Sequence, residues 1–314
     1  MKEIVVVGNT VLDVCASIDA TTLTVGHHHI APVEFRPGGG MPNVARSLTA
    51  GGINSIGIGA VGNDPAGVAL ASLVPQQPHV SNVSTTEMSV ILMQPDRTII
   101  NNDSDCWIDT STALEMVPDD STIALAYANK CCIRPEDLPE FYAASRAKNC
   151  EIVAGLNGAF SEVARQIILE TSPGARAVVM NEIEALWLAD VDPDGTMVEQ
   201  LDAALYRLSE FEWSSIVTLG KYGAVCILPS AWTAVPTEPI ANADTLGAGD
   251  AFLAGVVTGI SLDLDLAHCA AIGNQVAYHV LTRTPFELLE DARNTVQFEA
   301  FNSVAELLDD AQVS

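Results

Sequence analysis

The stretch NADTLGAGDAFLAGVVTGI, residues 242–260, joins a run of small residues to a helix. Phe252, Leu253, Val256, Val257 and Ile260 recur at the three- and four-residue spacing of an apolar helical face. Gly247, Ala248 and Gly249 stand immediately before that face. The first turn of a helix leaves N–H groups without intrahelical acceptors and carries the positive end of the dipole, so small residues there leave an opening for an anion. Asp250 lies inside that turn. A carboxylate would repel an anion that was merely stored; it makes chemical sense as a general base taking the proton from an attacking hydroxyl. Asp244 and Asp250 also read as plain helix-capping acids, because Asp is common at helix N-termini. This stretch alone leaves both readings open.

A second cluster, RPGGGMPNVARSLTAGG at residues 36–52, favours the chemical reading. Gly38 and Gly39 let a backbone approach closely, and Asn43 opens a helix that carries Val44 and Leu48 and stops at Gly51–Gly52. A side-chain amide donates and accepts together, which suits neutral hydroxyl groups.

A third glycine run, GIGAVG at residues 57–62, has the spacing of a dinucleotide-binding turn. That turn needs a strand before it, a helix after it and an acid about 20 positions on for the ribose. Here Pro65 follows where the helix should already be turning, and the next acid beyond Asp64 is Glu87. The context therefore argues against a dinucleotide oxidoreductase, which would also need a catalytic His or Tyr set that the chain does not offer.

EIVVVG, near the N-terminus, is an all-apolar, β-branched run ended by glycine, the pattern of a strand buried on both faces of a parallel sheet. Similar runs recur as CEIVAGL, ARAVVMN, SSIVTLG and AVCILP. Between them lie PEDLPEFYAASRAKN, SEVARQIILET and TMVEQLDAALYRLSEF, all with helical periodicity. Alternating strands and helices imply an α/β fold with an open, mostly parallel central sheet. Two segments depart from the alternation. Residues 9–35 and the stretch MSVILMQPDRTIINN, 88–102, are strand-rich without a helix, and Pro95–Asp96 marks a hairpin turn in the second. They suggest a small β appendage, a lid or a dimer face drawn from about 9–35 and 88–105, on a single domain over 1–314.

Forty acids against fourteen bases give a formal charge of −26. A field of that sign repels polyanions, so nucleic acid and anionic membranes are excluded as partners. Seven cysteines without C-x-x-C spacing read as small buried hydrophobes of a reducing cytoplasm. The apolar run before Gly8 is too short for a signal peptide, and nothing reaches transmembrane length. His27, His28 and His29 invite a metal reading, but no Cys or acid stands at ligand spacing, and a loop or edge of the lid fits them better. Trp107 and Arg97 read equally as substrate contacts or as packing.

Taken in order, these motifs resemble those of the ribokinase-like, phosphofructokinase-B type carbohydrate kinases. PGGGMPNVA looks like the family's N-terminal P-G-G-x-x-x-N-x-A element, and AVGNDPAG like A-x-G-x-D-x-x-G. NEIEA looks like N-x-x-E, TLGKYGA like T-x-G-x-x-G-A, and DTLGAGDAF like the D-T-x-G-A-G-D signature. The resemblance covers nearly the whole chain. It implies a ribokinase-like three-layer α/β/α fold with a small β-sheet lid, and an ATP-dependent phosphotransferase acting on a hydroxyl of a small sugar or ribonucleoside.

The resemblance also implies roles. Asp250 would be the general base, and the N–H groups of Gly247, Ala248 and Gly249 would stabilise charge on the transferring phosphoryl group. Asp13, Gly38, Gly39 and Asn43 would hold the substrate. Thr218, Gly220 and Asn274 would line the nucleotide site. Asn181 and Glu184 would organise Mg2+ through water, and Asp244 and Thr245 match part of a monovalent-cation site for K+. A homodimer through the lid is a further implication.

The chain departs from the family in three places. Gly155, in VAGLNG, stands where the family often has an Asp, LTRTPFE replaces a Gly-Ala turn that helps to bind the monovalent cation, and Met180 stands where proline is frequent. Two readings of function thus remain beside the dinucleotide one: an active kinase, or a non-catalytic, ligand-binding regulatory relative. The second predicts loss of Asp250 or of a glycine beside it, and neither is lost. Scarce Lys and Arg favour an uncharged acceptor over a sugar phosphate. PGGGMPN and NNDSD are faintly similar to parts of pseudouridine kinases, which places a nucleoside beside free sugars as acceptor.

Overall fold

The computed structural model describes residues 1–286 except 77, 82–83, 95–97, 103, 105, 159, 193, 230 and 241–246. In chain order the strands are β1 (Ile4–Gly8), β2 (Val11–Asp19), β3 (Val33–Gly38), β4 (Ile56–Ile58), β5 (Ala60–Gly62), β6 (His79–Ser81), β7 (Glu87–Gln94) and β8 (Thr98–Asn101). They continue as β9 (Thr122–Ala126), β10 (Glu151–Gly155), β11 (Ala177–Asn181), β12 (Ser215–Thr218), β13 (Ala224–Leu228) and β14 (Ala231–Val235). The helices are α1 (Gly40–Ala50), α2 (Pro65–Leu73), α3 (Thr110–Glu115), α4 (Leu138–Ala147), α5 (Glu162–Thr171), α6 (Glu182–Leu188), α7 (Met197–Ser209), α8 (Ala248–Ser261) and α9 (Leu266–Thr282).

The main sheet runs β14-β13-β12-β11-β10-β9-β1-β4. Pairing is parallel from β4 to β12 and antiparallel between β12 and β13 and between β13 and β14 at one end. Its strands are mainly apolar because both faces are covered. Val5 and Val7 point into a layer with Phe141 of α4, Leu188 of α6 and Leu205 of α7, while Ile4 and Val6 point into a layer with Leu48 of α1, Val256 of α8 and Ile272 of α9. Residues i and i+2 of one strand share a face. The chain therefore forms the three-layer α/β/α fold expected of the sequence, and the quoted strand and helix runs fall where the structure has them.

The second sheet, β3-β2-β7-β8, stands apart from the first. β2 pairs antiparallel with β3 but parallel with β7, and β7 and β8 form the antiparallel pair of the expected hairpin, whose turn at Pro95 and Asp96 lies outside the described residues. Register puts Phe35, Val14, Val90 and Ile100 in one row across all four strands. Phe35 is 60% exposed and Ile100 58%, so one face of this sheet carries an apolar row in contact with water.

GIGAVG becomes β4, a one-residue break and β5, with no dinucleotide turn. Its sequel serves the lid instead. The Asp64 carboxylate caps α2 by accepting from Gly67 N at 2.7 Å, and also accepts from Thr86 N at 2.8 Å and Thr86 Oγ1 at 2.7 Å. Thr86 immediately precedes β7, so this one side chain ties the base of the lid to the body. All seven cysteines are buried and free, and among the described residues no helix is long and apolar enough to cross a membrane.

Candidate active site

In open parallel sheets ligands bind beyond the C-terminal ends of the strands. Here those ends carry Asn9 after β1, Tyr127 after β9, Gly155 in β10, Asn181 in β11 and Thr218 in β12. The N-terminus of α8 points at the same edge, between two clefts of about 200 and 210 Å3. Tyr127, Gly155, Asn181, Glu184, Gly247 and Asp250 line one; Gly220, Thr237, Ala248, Phe252, Asn274 and Tyr278 line the other. Thr218 and Gly249 line both, so the clefts meet across the helix end.

Gly247 caps α8 at φ 78°, a left-handed conformation that glycine adopts freely and other residues rarely do. No side chain caps the helix there, and the geometry of a helix leaves the N–H groups of its first turn without intrahelical acceptors. These groups face the junction of the clefts, an arrangement suited to an anion.

Asp250 is 6% exposed. Its Oδ2 accepts from Asn43 Nδ2 at 2.9 Å and from Tyr127 Oη at 3.1 Å. Burial pushes its carboxyl up to about 6, while the two hydrogen bonds and the charge of Arg46 pull it back. Asn43 is itself oriented, since its Oδ1 accepts from Arg46 Nη2 at 2.8 Å. The amide's NH2 is thereby turned towards Asp250 and not the reverse. A buried carboxylate with a raised pKa, held at a cleft, has the properties of a base able to act near neutral pH.

Asp13 lies in β2 at the root of the lid. It too is pushed up to about 6 by burial, against Ser89 and the charges of Arg46 and Arg36. Its carboxylate lies against the backbone at Gly38, where any Cβ would collide with it. Gly39 caps α1 at φ 87°. The N-terminus of α1 is not open like that of α8: Gly40 N donates to Asn9 Oδ1 at 2.9 Å and Met41 N to Asn9 O at 3.2 Å. Asn9 Nδ2 in turn donates to Glu87 Oε2 at 2.7 Å, and Glu87 Oε1 pairs with Lys130 at 3.1 Å.

Asn181 and Glu184 form a capping box on α6, with Glu184 N donating to Asn181 Oδ1 at 2.9 Å and Asn181 N to Glu184 Oε2 at 2.8 Å. The motif thus has a structural reason of its own, yet Glu184, 4% exposed and pushed up by burial, still lines the cleft shared with Asp250. Thr218 Oγ1 donates to Met180 O at 3.5 Å. Asn274 spends its NH2 on Val235 O and Pro236 O at 3.0 and 3.2 Å, so it orders the chain that leaves β14 as well as lining the neighbouring cleft.

Asp244, Thr245 and Arg97 lie outside the described residues. His27, His28 and His29 are exposed in the loop before β3, and among the described residues no group of three or more His, Cys, Asp and Glu could hold a metal ion. Trp107 lines a separate cleft with His79, Asp109 and Arg134, whose lining does not include Asp250. Sequence reasoning missed Tyr127, Asn9 and Arg46. The only signal for Tyr127 was its place directly after the apolar run TIALA, at the edge where a parallel sheet gathers its site.

The sequence profile described as pfkB family carbohydrate kinase matches residues 1–285. The chain belongs to the pfkB family of carbohydrate kinases. Fructokinases of Salmonella typhimurium and Klebsiella pneumoniae are 27% and 26% identical to it over 254 residues, covering 72% of this chain and 77% of theirs. Among solved structures, Arabidopsis thaliana ribokinase complexed with ribose and ATP superposes with a TM-score of 0.75 at 17% identity, covering 94% of this chain and 99% of that one. Adenosine kinase from Sinorhizobium meliloti superposes with a TM-score of 0.68 at 20% identity, covering 93% and 97%. At these identities the superpositions speak for the fold.

For a pfkB-family kinase, the glycine at 155 has a packing correlate. A Cβ there would lie 2.7 Å from Leu253 Cδ2, so the α8 side chain already occupies the space into which residue 155 would project. Glu184 and Asp250 are then the carboxylates that line this cleft among the described residues.

Proposed function

We propose that this chain transfers the γ-phosphoryl group of ATP to a hydroxyl of a small, uncharged acceptor, a free sugar or a ribonucleoside. The observation that carries the reading is the buried Asp250, held by Asn43 from the facing helix and set in the first turn of a helix whose N–H groups are open to the clefts. In this reading Asp250 takes the acceptor's proton as its oxygen attacks phosphorus. The N–H groups of Gly247, Ala248 and Gly249 stabilise charge on the transferring group, the electrostatic task that dominates phosphoryl transfer. Asp13, Gly38, Gly39 and Asn43 hold the acceptor. Thr218, Gly220 and Asn274 border the nucleotide, which lies in the cleft lined by Phe252 and Tyr278.

The residues present fit Mg2+ held largely by water and phosphate: one buried carboxylate, Glu184, faces the cleft with Asn181, and no all-protein cage exists among the described residues. When bound, the ion would neutralise phosphate charge. K+ would need Asp244 and Thr245.

The resemblance to two fructokinases supports testing free sugars as acceptors, and the scarcity of bases agrees with an uncharged one. The strands β2, β3, β7 and β8 act as a lid that excludes water, since an open site would lose ATP to hydrolysis. Their apolar row, Phe35, Val14, Val90 and Ile100, supports a homodimer formed lid to lid. Seven buried free thiols are consistent with the reducing cytoplasm. The test is an ADP-release assay with ATP and Mg2+ across free sugars, ribonucleosides including pseudouridine, and sugar phosphates. Release that depends on a free sugar or nucleoside supports the reading; release with sugar phosphates alone overturns the uncharged acceptor.

A further inference from the structure

Tyr127 is an outlier. It sits at φ 61°, ψ 59°, a left-handed conformation that costs a non-glycine residue on the order of 1–2 kcal/mol. Glycine would adopt it at no such cost, so an aromatic residue held there calls for a reason in its side chain. The surrounding turn is fastened on three sides. Lys130 N donates to Tyr127 O at 2.6 Å. Asn129 Nδ2 donates to Asn157 O at 2.8 Å and Asn129 Oδ1 accepts from Asn157 N at 3.1 Å, which binds the turn to the loop after β10. The Lys130–Glu87 ion pair, 3.1 Å, binds it to the base of the lid. These contacts hold the backbone strained, and the strained backbone places the phenol against Asp250 at 3.1 Å. Both this bond and that from Asn43 fall on Oδ2.

We propose that Tyr127 is a positioning residue for phosphoryl transfer: its hydroxyl and the Asn43 amide together fix Oδ2 of Asp250, leaving Oδ1 as the oxygen that meets the acceptor. This rests on the reading of Asp250 as the base. The groups around Asp250 are Asn43 and Arg46 of α1, Tyr127 beyond β9, and Glu184 of α6 along the same cleft. Tyr127 is a neutral donor throughout the working range, because burial pushes its phenol far up.

Tyr127→Phe keeps the ring and removes only the donor. A hydrogen bond to a charged group corresponds to roughly a ten- to hundredfold effect, so kcat should fall on that scale while KM for ATP stays put. The acid limb of the kcat profile should move to higher pH, because the carboxylate has lost a donor that stabilised it. Unchanged kcat together with a superimposable pH profile would overturn the proposal. A second measurement does not depend on turnover: a carbon-13 NMR titration of labelled aspartate carboxyls, with the Asp250 signal assigned by its absence in Asp250→Asn. An upward move of the Asp250 midpoint in Tyr127→Phe supports the contact, and an unmoved midpoint overturns it. If no acceptor in the panel turned over, the kinase reading would suffer while the titration still decided the role of Tyr127.

Discussion

Asn43 donates to Asp250 across 2.9 Å, joining residues 207 positions apart in the chain. The contact brings the N-terminal glycine cluster and the C-terminal one, which the sequence presents as separate motifs, into one site. It also assigns Asn43 two duties, since the amide that would meet acceptor hydroxyls is also the one that holds the carboxylate.

Asn43→Ala should therefore disturb more than acceptor binding. Loss of a donor to a buried carboxylate should lower kcat/KM for the acceptor by roughly ten- to hundredfold. Both a raised KM and a lowered kcat should contribute, with KM for ATP nearly unchanged. Steady-state kinetics with each substrate varied in turn measures the split. A purely raised acceptor KM would confine Asn43 to binding.

The raised pKa of Asp250 has consequences for activity and for stability. In the proposed mechanism the deprotonated form acts as the base, so kcat/KM should fall as pH drops through about 6. A buried carboxyl whose folded pKa exceeds its unfolded value stabilises the fold only while protonated, and that contribution is lost as pH rises through the folded value. Asp250→Asn should thus be more stable than the wild type at pH 8, by on the order of 1–3 kcal/mol. The difference should shrink from about pH 6 down to about 4. Thermal unfolding at pH 8 and pH 4 tests this, and equal midpoints at pH 8 would contradict it.

Restoring a carboxylate at position 155 should cost stability. Gly155→Asp drives a side chain into Leu253, with overpacking of about 1–3 kcal/mol, and Leu253→Ala should recover part of that loss in the double variant. Chemical denaturation of the two single variants and the pair completes the cycle. Additive losses would show that the two positions do not share one space.

The apolar row on the lid predicts an oligomer. Phe35→Glu, at an exposed position in that row, should shift the assembly to monomers while leaving the fold intact. Sedimentation velocity of both proteins at equal concentration is the measurement. A wild type that sediments as a monomer would contradict lid-to-lid pairing.

Much of this architecture is legible in the sequence because its determinants are local. Ile4 to Val7 need no partner to announce a strand buried on both faces, and the small residues at 247–249 announce an open helix end before Phe252 begins its apolar face. The lid was legible as strands, but its order was not: that β2 pairs parallel with β7 depends on how the chain returns after residue 86. Asn9, Arg46 and Tyr127 were not legible as site residues for the same reason. Each acts through a partner distant in sequence or through a turn whose backbone angles the sequence does not display. Tyr127 in particular ends an apolar run as any interior residue might, and only its left-handed angle and its contact with Asp250 distinguish it. α9 is hard to read from the sequence because Cys269, Ala270, Ala271 and Ile272 are buried in succession, which blurs the helical period.

The central claim is that Asp250 is the base of an ATP-dependent phosphotransferase. The most direct test is ADP release by the wild type and by Asp250→Asn, with ATP, Mg2+ and whichever free sugar or nucleoside gives the strongest signal, alongside nucleotide binding to both proteins. The account predicts acceptor-dependent release that falls by at least roughly a hundredfold in the variant, with ATP bound about equally by both. A variant that turns over at the wild-type rate would contradict it.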